Sequence, residues 1–226
     1  MKYLTSLLIP LLFSFIANTQ NNYPFKISLE PVIPEAFSGL QSYAWAKDAN
    51  RVLLIGGRSD GLHRRQPFVS FNKQYNNREI LVLDLAGEKV WKRNTTELPA
   101  TIAEQLESSN MEFFQQGNQL MLVGGYGYSE TEKDHITHPS LVIIQVKELI
   151  NAIVSNTEIS SFIQQLKDER MAVTGGRLNK LGNLFYLVGG QRFDGRYNPH
   201  GPDHGPGFSC LLYTSLIGNK SFGISS

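Results

Sequence analysis

Two short loops of this chain carry the same charged pattern. Arg58-Ser59-Asp60-Gly61 and Arg192-Phe193-Asp194-Gly195 each set a guanidinium two residues before a carboxylate, with a glycine following. In one chemistry the Asp-Gly step makes a turn and the arginine pairs with the aspartate or a nearby carbonyl. In the other, the arginines and aspartates surround a polar or anionic ligand such as a sugar acid, each arginine holding a carboxylate. Repetition favours the structural role, because every copy of a repeat needs the same turn. The ligand-binding candidates are therefore Arg58, Asp60, Arg192 and Asp194, with His63 in the loop after the first copy. Tyr126, Tyr128, Phe193 and Tyr197 join them as exposed aromatic surfaces for stacking on sugar faces or anchoring a partner.

The segment Gln191 to Phe208 (QRFDGRYNPHGPDHGPGF) holds His200, Asp203 and His204, residue types that ligate zinc or a similar ion. The prolines and glycines around them keep the loop extended, and no helix fixes the spacing. A solvated loop is the expectation, with no metal. His135 and His138 (DHITHP) form a still less defined pair. Glu130, Glu132 and Asp134 read as a solvated acidic loop. No phosphate-cradling glycine loop, G-x-S-x-G elbow or H-E-x-x-H helix is present. Catalytic residues stay unassigned and no cofactor is expected.

The elements that position these loops repeat. Tyr43–Gly57 (YAWAKDANRVLLIGG), Met111–Gly125 (MEFFQQGNQLMLVGG) and Met171–Gly190 (MAVTGGRLNKLGNLFYLVGG) each read as a strand, a polar turn and an apolar strand ending in Gly-Gly. The Gly-Gly ends recur after 68 residues (57 to 125) and then 65 (125 to 190). Such self-similarity means stacked supersecondary units, none able to bury its apolar face alone. In the first unit Tyr43, Trp45 and Lys47 alternate with Ala44 and Ala46, while Arg51–Ile55 is apolar enough to be buried on both faces. A long loop precedes a third strand, Glu79–Leu85, and a fourth around Val90 and Trp91. The second unit repeats three strands, ending with Ser140–Val146. Lys147–Val154 then has helix-like apolar spacing and is expected to be a short helix or an irregular outer strand.

The hairpin ending in Gly56-Gly57, the aliphatic strand Ile80–Leu85 and the later Trp91 resemble a kelch repeat. The resemblance covers roughly Ser42 to Gly190; the second unit lacks the Trp, and the third stops after its hairpin. It implies an all-β fold of kelch-like propeller blades, each a four-stranded antiparallel meander, with about two and a half blades present. The expected blades span approximately 40–100, 108–168 and 169–226. The spacing is longer than the kelch period of about 50, the excess falling in loops. An unrelated sandwich of meanders is the competing architecture. Since propellers typically have at least four blades, the chain is expected to be a piece of a longer propeller. Self-association through open blade edges is the other way to complete a ring.

Residues 1–19 read as a cleaved secretory signal: Lys2, an apolar run Leu4–Ile16, then small and polar residues. The remainder, 20–226, has no apolar stretch long enough for a membrane span. A secreted or periplasmic location follows, in keeping with a single cysteine, Cys210, which excludes an internal disulfide framework. The net charge of +1, without a basic stripe, argues against nucleic acid as a partner. Two functions remain. The preferred one is a non-catalytic module whose loops bind a protein or glycan. The other is implied by similarity to periplasmic kelch-type epimerases acting on sialic acid: a sugar-acid epimerase or mutarotase. There Arg58 and Arg192 would hold the carboxylate, and His63, His200 or His204 would move a proton. The test between them is whether both arginines and a histidine share one pocket.

Overall fold

A computed structural model describes residues 25–30, 34, 36–61 and 69–197. The signal segment, His63, His200, Asp203, His204 and Cys210 lie outside the described residues. The chain divides into two units, 1–32 and 33–226. Residues 25–30 of the first are exposed and without regular secondary structure.

The second unit is built of antiparallel sheets. β1 (Ala44–Asp48), β2 (Arg51–Ile55), β3 (Glu79–Asp84) and β4 (Lys89–Asn94) pair in sequence order. A short helix, α1 (Ala100–Leu106), leads to β5 (Glu112–Gln116) and β6 (Gln119–Val123). A small separate hairpin follows, β7 (Tyr126–Ser129) with β8 (Asp134–Thr137). β9 (Ser140–Gln145), helix α2 (Val146–Ser155) and β10 (Ile163–Lys167) complete a second four-stranded sheet in the order β10-β9-β6-β5. β11 (Thr174–Leu181) and β12 (Leu184–Gln191) form a third hairpin. The fold is all-β, with two blade-like four-stranded meanders and half of another among the described residues.

The segment after β9 is the helix rather than the outer strand. Leu149, Ile150 and Ile153 fall on one helical face and are buried. Asn156 ends the helix in the left-handed conformation, its N–H returning to the carbonyl of Ala152. The outer strand is β10, whose alternating Ile163, Gln164 and Gln165 gave little apolar signal. The loop expected to run to Pro139 contains the β7–β8 hairpin, whose two four-residue strands are too short and polar to read as strands.

Neighbouring residues on a strand point to opposite sides, and the two four-stranded sheets place apolar residues on both faces. Leu53 and Ile55 face a core shared with Leu120, Leu122, Val142 and Ile144 of the second sheet, closed by Leu149 and Ile150 of α2. Leu54, Leu81 and Leu83 face the other way, toward Phe37, Leu40 and Tyr43. Met121, Val123 and Leu141 cover Leu178 and Leu187 of the third hairpin. Ala44 and Ala46, fully buried, let the first sheet approach the second.

The backbone fixes that stacking in a repeated frame. Gly57 N donates to Ser108 O at 2.9 Å, and Gly125 N to Val173 O at 3.0 Å. Asn110 N donates to Ser42 O at 3.0 Å, and Gly175 N to Asn110 O at 3.2 Å. A Cβ on Gly124 would lie 1.8 Å from Val173 O, and one on Gly56 2.5 Å from Ser108 O. The glycines are thus required by close approach as well as by their positive φ of 64° and 67°. Gly189, with φ 69°, meets nothing within 4 Å among the described residues.

One inter-sheet contact is ionisable. Glu112 stands where the first sheet has Ala44, is 4% exposed, and accepts a hydrogen bond from Gly176 N of the third hairpin. Burial pushes its carboxyl up to about 7, against the opposing pull of the Gly176 N–H and Arg177.

Two outcomes are expected from stability measurements in urea. Gly189→Ala costs about 1–2 kcal/mol, the price of the left-handed backbone. Gly124→Ala adds overpacking against Val173 and costs about 3–5 kcal/mol; equal losses would refute the close-approach argument. For Glu112, the folded state holds its proton more tightly than the unfolded chain. That stabilisation is complete below pH 4.5 and disappears as pH rises through 7. Wild type should therefore match Glu112→Gln near pH 4 and fall behind it by about 3 kcal/mol at pH 8. A difference that does not vary with pH would show that Glu112 is not held at a raised pKa.

Candidate functional site

The two Arg-x-Asp-Gly loops fold alike and spend their charges internally. Arg58 is 3% exposed; its Nε and Nη2 donate to Asp60 Oδ1 and Oδ2 at 3.0 and 2.8 Å. Nη1 donates to Asn76 Oδ1 at 2.9 Å and Nη2 to Asn72 O at 3.1 Å. The guanidinium also lies 5.3 Å from the Phe71 ring centre. Arg192 repeats the fork, Nε donating to both Asp194 oxygens at 3.2 and 3.1 Å, with Nη1 on Glu169 Oε2 at 3.1 Å. Its side chain remains 40% exposed.

The aromatic candidates join these loops to each other. Tyr126, expected on the surface, is 2% exposed. Its hydroxyl donates to Gly195 O and accepts from Tyr197 N, both at 2.8 Å, so it spans the second loop and cannot face solvent. Burial pushes its phenol up. Phe71 and Phe193 stand edge-on to it at 5.1 and 5.5 Å, and His135 stacks at 5.9 Å. His135 Nε2 bonds Phe71 O at 2.8 Å. Tyr197 packs edge-on against both phenylalanines at 5.6 Å. Tyr126 and Tyr197 border a small pocket of about 180 Å³ with Phe71 and Phe193. Tyr128 is half-buried, with Lys73 Nζ 4.4 Å above its ring and that lysine paired to Glu130 at 2.6 Å.

A larger cavity of about 450 Å³ opens beside this cluster. Its walls come from α1, the β7–β8 hairpin, the end of β10 and the second Arg-x-Asp-Gly loop. Glu104 of α1 is tied to the hairpin: Oε2 accepts from Ser129 Oγ at 2.6 Å, Oε1 from Thr131 N and Oγ1 at 3.0 and 2.8 Å. Four carboxylates (Glu104, Glu132, Glu169, Asp194) face two cations (Lys167, Arg192), so the lining is acidic on balance.

His138 also lines it. The residue is 5% exposed, and its Nε2 has no hydrogen-bond partner among the described residues. Burial pushes the imidazole down to about 4, with Glu104 pulling weakly the other way. It is therefore neutral at pH 7. Of the sequence candidates, Arg192 and Asp194 reach this cavity; Arg58 and Asp60 do not line it, and Arg58 is consumed by its own loop. No group of three metal-ligating side chains occurs among the described residues. Nor is any described helix long and apolar enough to cross a membrane.

No protein-family model matches the chain, and neither does any curated protein. A solved structure titled "Structure of YjhT" is similar at 15% sequence identity with a TM-score of 0.46. The match covers 72% of this chain and 37% of that one, so the chain spans little more than a third of the length of that structure.

Thermal or urea denaturation should separate the two arginines. Arg58→Ala strands a largely buried carboxylate and is expected to cost about 3 kcal/mol or more. Arg192→Ala, at an exposed fork, should cost under about 1 kcal/mol. Similar losses at both sites would contradict the assignment of Arg58 as a structural clamp.

Proposed function

We propose that this chain forms part of a kelch-like β-propeller and serves as a non-catalytic binding module, its ligand a neutral, hydroxyl-rich glycan. Blades near 40–100, 108–168 and 169–226, a cleaved signal at 1–19 and a secreted or periplasmic location belong to the same reading. The carrying observation is the 450 Å³ cavity, which falls in the size range of small-ligand sites and is lined by polar side chains held on rigid elements. Its acidic balance repels a carboxylated sugar and suits an uncharged polyol, whose hydroxyls both donate to carboxylates and accept from Lys167 or Arg192. A sugar-acid epimerase would need Arg58 and Arg192 on one carboxylate. Arg58 instead makes its hydrogen bonds with Asp60, Asn72 and Asn76, outside the cavity lining.

Calorimetric titration with cello-, malto- and chito-oligosaccharides beside sialylated and uronic-acid sugars tests the reading. Binding of a neutral member is expected, weakened at least tenfold by Glu104→Ala. Binding confined to the carboxylated sugars would overturn it.

A further inference from the structure

The small pocket of about 180 Å³ beside the aromatic cluster differs in kind from the larger cavity. The stretch 191–194 divides the two: Gln191 and Phe193 line the pocket, while Arg192 and Asp194 line the cavity. No charged side chain lines the pocket among the described residues. The rings of Phe71, Tyr126, Phe193 and Tyr197 make its apolar part, and Asn110 and Gln191 bring one carboxamide each.

Hydrogen-bond accounting separates the polar groups that build this pocket from those left for a ligand. The Tyr126 hydroxyl is spent on Gly195 O and Tyr197 N, and the Thr174 hydroxyl on Asn110 O at 3.1 Å. Asn110 is held through its backbone, donating to Ser42 O at 3.0 Å and accepting from Gly175 N at 3.2 Å. Neither the Asn110 nor the Gln191 carboxamide makes a hydrogen bond among the described residues. Neither is sealed in the core. Asn110 is exposed. Among the described residues His138 Nε2 is the one side-chain polar atom both buried and partnerless, so the Gln191 amide is open to solvent.

The fold does not require an amide at position 110. Its left-handed backbone, φ 54°, is matched in the neighbouring units by Ser42 and Gly175, with φ 57° and 74°. Asparagine tolerates that conformation, but serine and glycine serve there equally.

Size and chemistry narrow what fits. A volume of 180 Å³ falls below the roughly 300–1,000 Å³ of whole small-ligand sites and suits one substituent of a larger ligand. That substituent is uncharged, since nothing in the lining supplies a counter-charge. It places apolar atoms against the rings and offers both a donor and an acceptor to the carboxamides. An acetamido group has these three parts in its methyl, N–H and C=O. A bare hydroxyl lacks the apolar part, and a carboxylate lacks the donor and carries charge.

We propose that this pocket is a subsite for the N-acetyl group of a sugar. The methyl packs against Phe71, Phe193 and Tyr197, and the amide hydrogen-bonds Asn110 and Gln191. The assignment rests on the chain being a glycan-binding module, as read above, and narrows the glycan to an N-acetylated one.

The test sets chito- against cello-oligosaccharides of equal length, which differ in carrying an acetamido group or a hydroxyl at one ring position. Calorimetric titration of the full chain should show at least tenfold tighter binding of the chito series. In saturation-transfer NMR, irradiation of the aromatic protons should mark the acetamido methyl most strongly. Asn110→Gly, the residue that the third hairpin has there, and Gln191→Met should each cut the chito preference at least fivefold. Both should melt within about 3 °C of wild type. If they melt lower than that, the amides are structural and the proposal falls. Equal binding of the two series, or a chito preference that both variants retain, would also overturn it while leaving the glycan reading intact. A wild-type chain that binds neither series would refute the glycan reading itself, and the acetamido subsite with it.

Discussion

The closest approach between neighbouring sheets is a backbone contact, and the rest of the structure is arranged around it. Where Gly57 N meets Ser108 O and Gly125 N meets Val173 O, two stretches of backbone come together, and a Cβ on the preceding Gly56 or Gly124 would collide with the same oxygens. A hydrogen bond there satisfies a buried amide and sets the distance between sheets. The small side chains of Ala44 and Ala46, and the aliphatic residues that interleave with them, fill what that distance leaves. The loops that follow each Gly-Gly pair emerge beside one another as a consequence. The loops on this end of the stack are therefore carried by packed sheets.

The two Arg-x-Asp-Gly loops show how similar sequence patterns diverge in use. Both fold by the same fork between guanidinium and carboxylate. The first is sealed under Phe71 and sits among Asn72 and Asn76; the second stays partly open and contributes Arg192 and Asp194 to a cavity. Tyr126 connects the loop systems through its hydroxyl and ring, so the aromatic cluster is chiefly a joint. The cavity lies beside that joint, where α1 and the β7–β8 hairpin add polar walls. Its acidic balance comes mainly from those additions and from Glu169, and only in part from the repeated pattern.

Much of the fold was legible because it depends on period-two alternation and on glycine. β1, β2, β3, β5 and β6 fall where short apolar or alternating runs placed them, and the Gly-Gly pairs marked the sheet ends. β10 was not legible, since Gln164, Gln165 and Lys167 dilute its pattern and its pairing with β9 is a long-range matter. The site was less visible still. His138 was noticed only as half of an ill-defined histidine pair. Its backbone N–H donates to Gly125 O as that of Asn77 does to Gly57 O, and unequal loops hide that alignment: twenty residues separate Asn77 from Gly57, but thirteen separate His138 from Gly125. Exposure of Tyr126 was misjudged because burial of a tyrosine depends on distant partners for its hydroxyl, here Gly195 and Tyr197.

By itself the sequence determined the strands of the repeated hairpins, their turns and the repeat, because alternation, turn chemistry and glycine's freedom at positive φ act over a few neighbouring residues. It made a local Arg–Asp pairing in each charged loop the favoured reading, since the two residues stand only two positions apart, but the further partners Asn72, Asn76 and Glu169 come from distant parts of the chain. Only the tertiary structure decided which polar groups were left over. Gln105 donates to Gly124 O and Ser140 O, where Asn77 serves Gly56 O and Glu79 O of the first sheet, and that exchange joins residues 19 and 35 positions apart. Hydrogen-bond satisfaction is an accounting over all neighbours in space. A His138 Nε2 without a hydrogen-bond partner among the described residues becomes visible only once its neighbours have been placed.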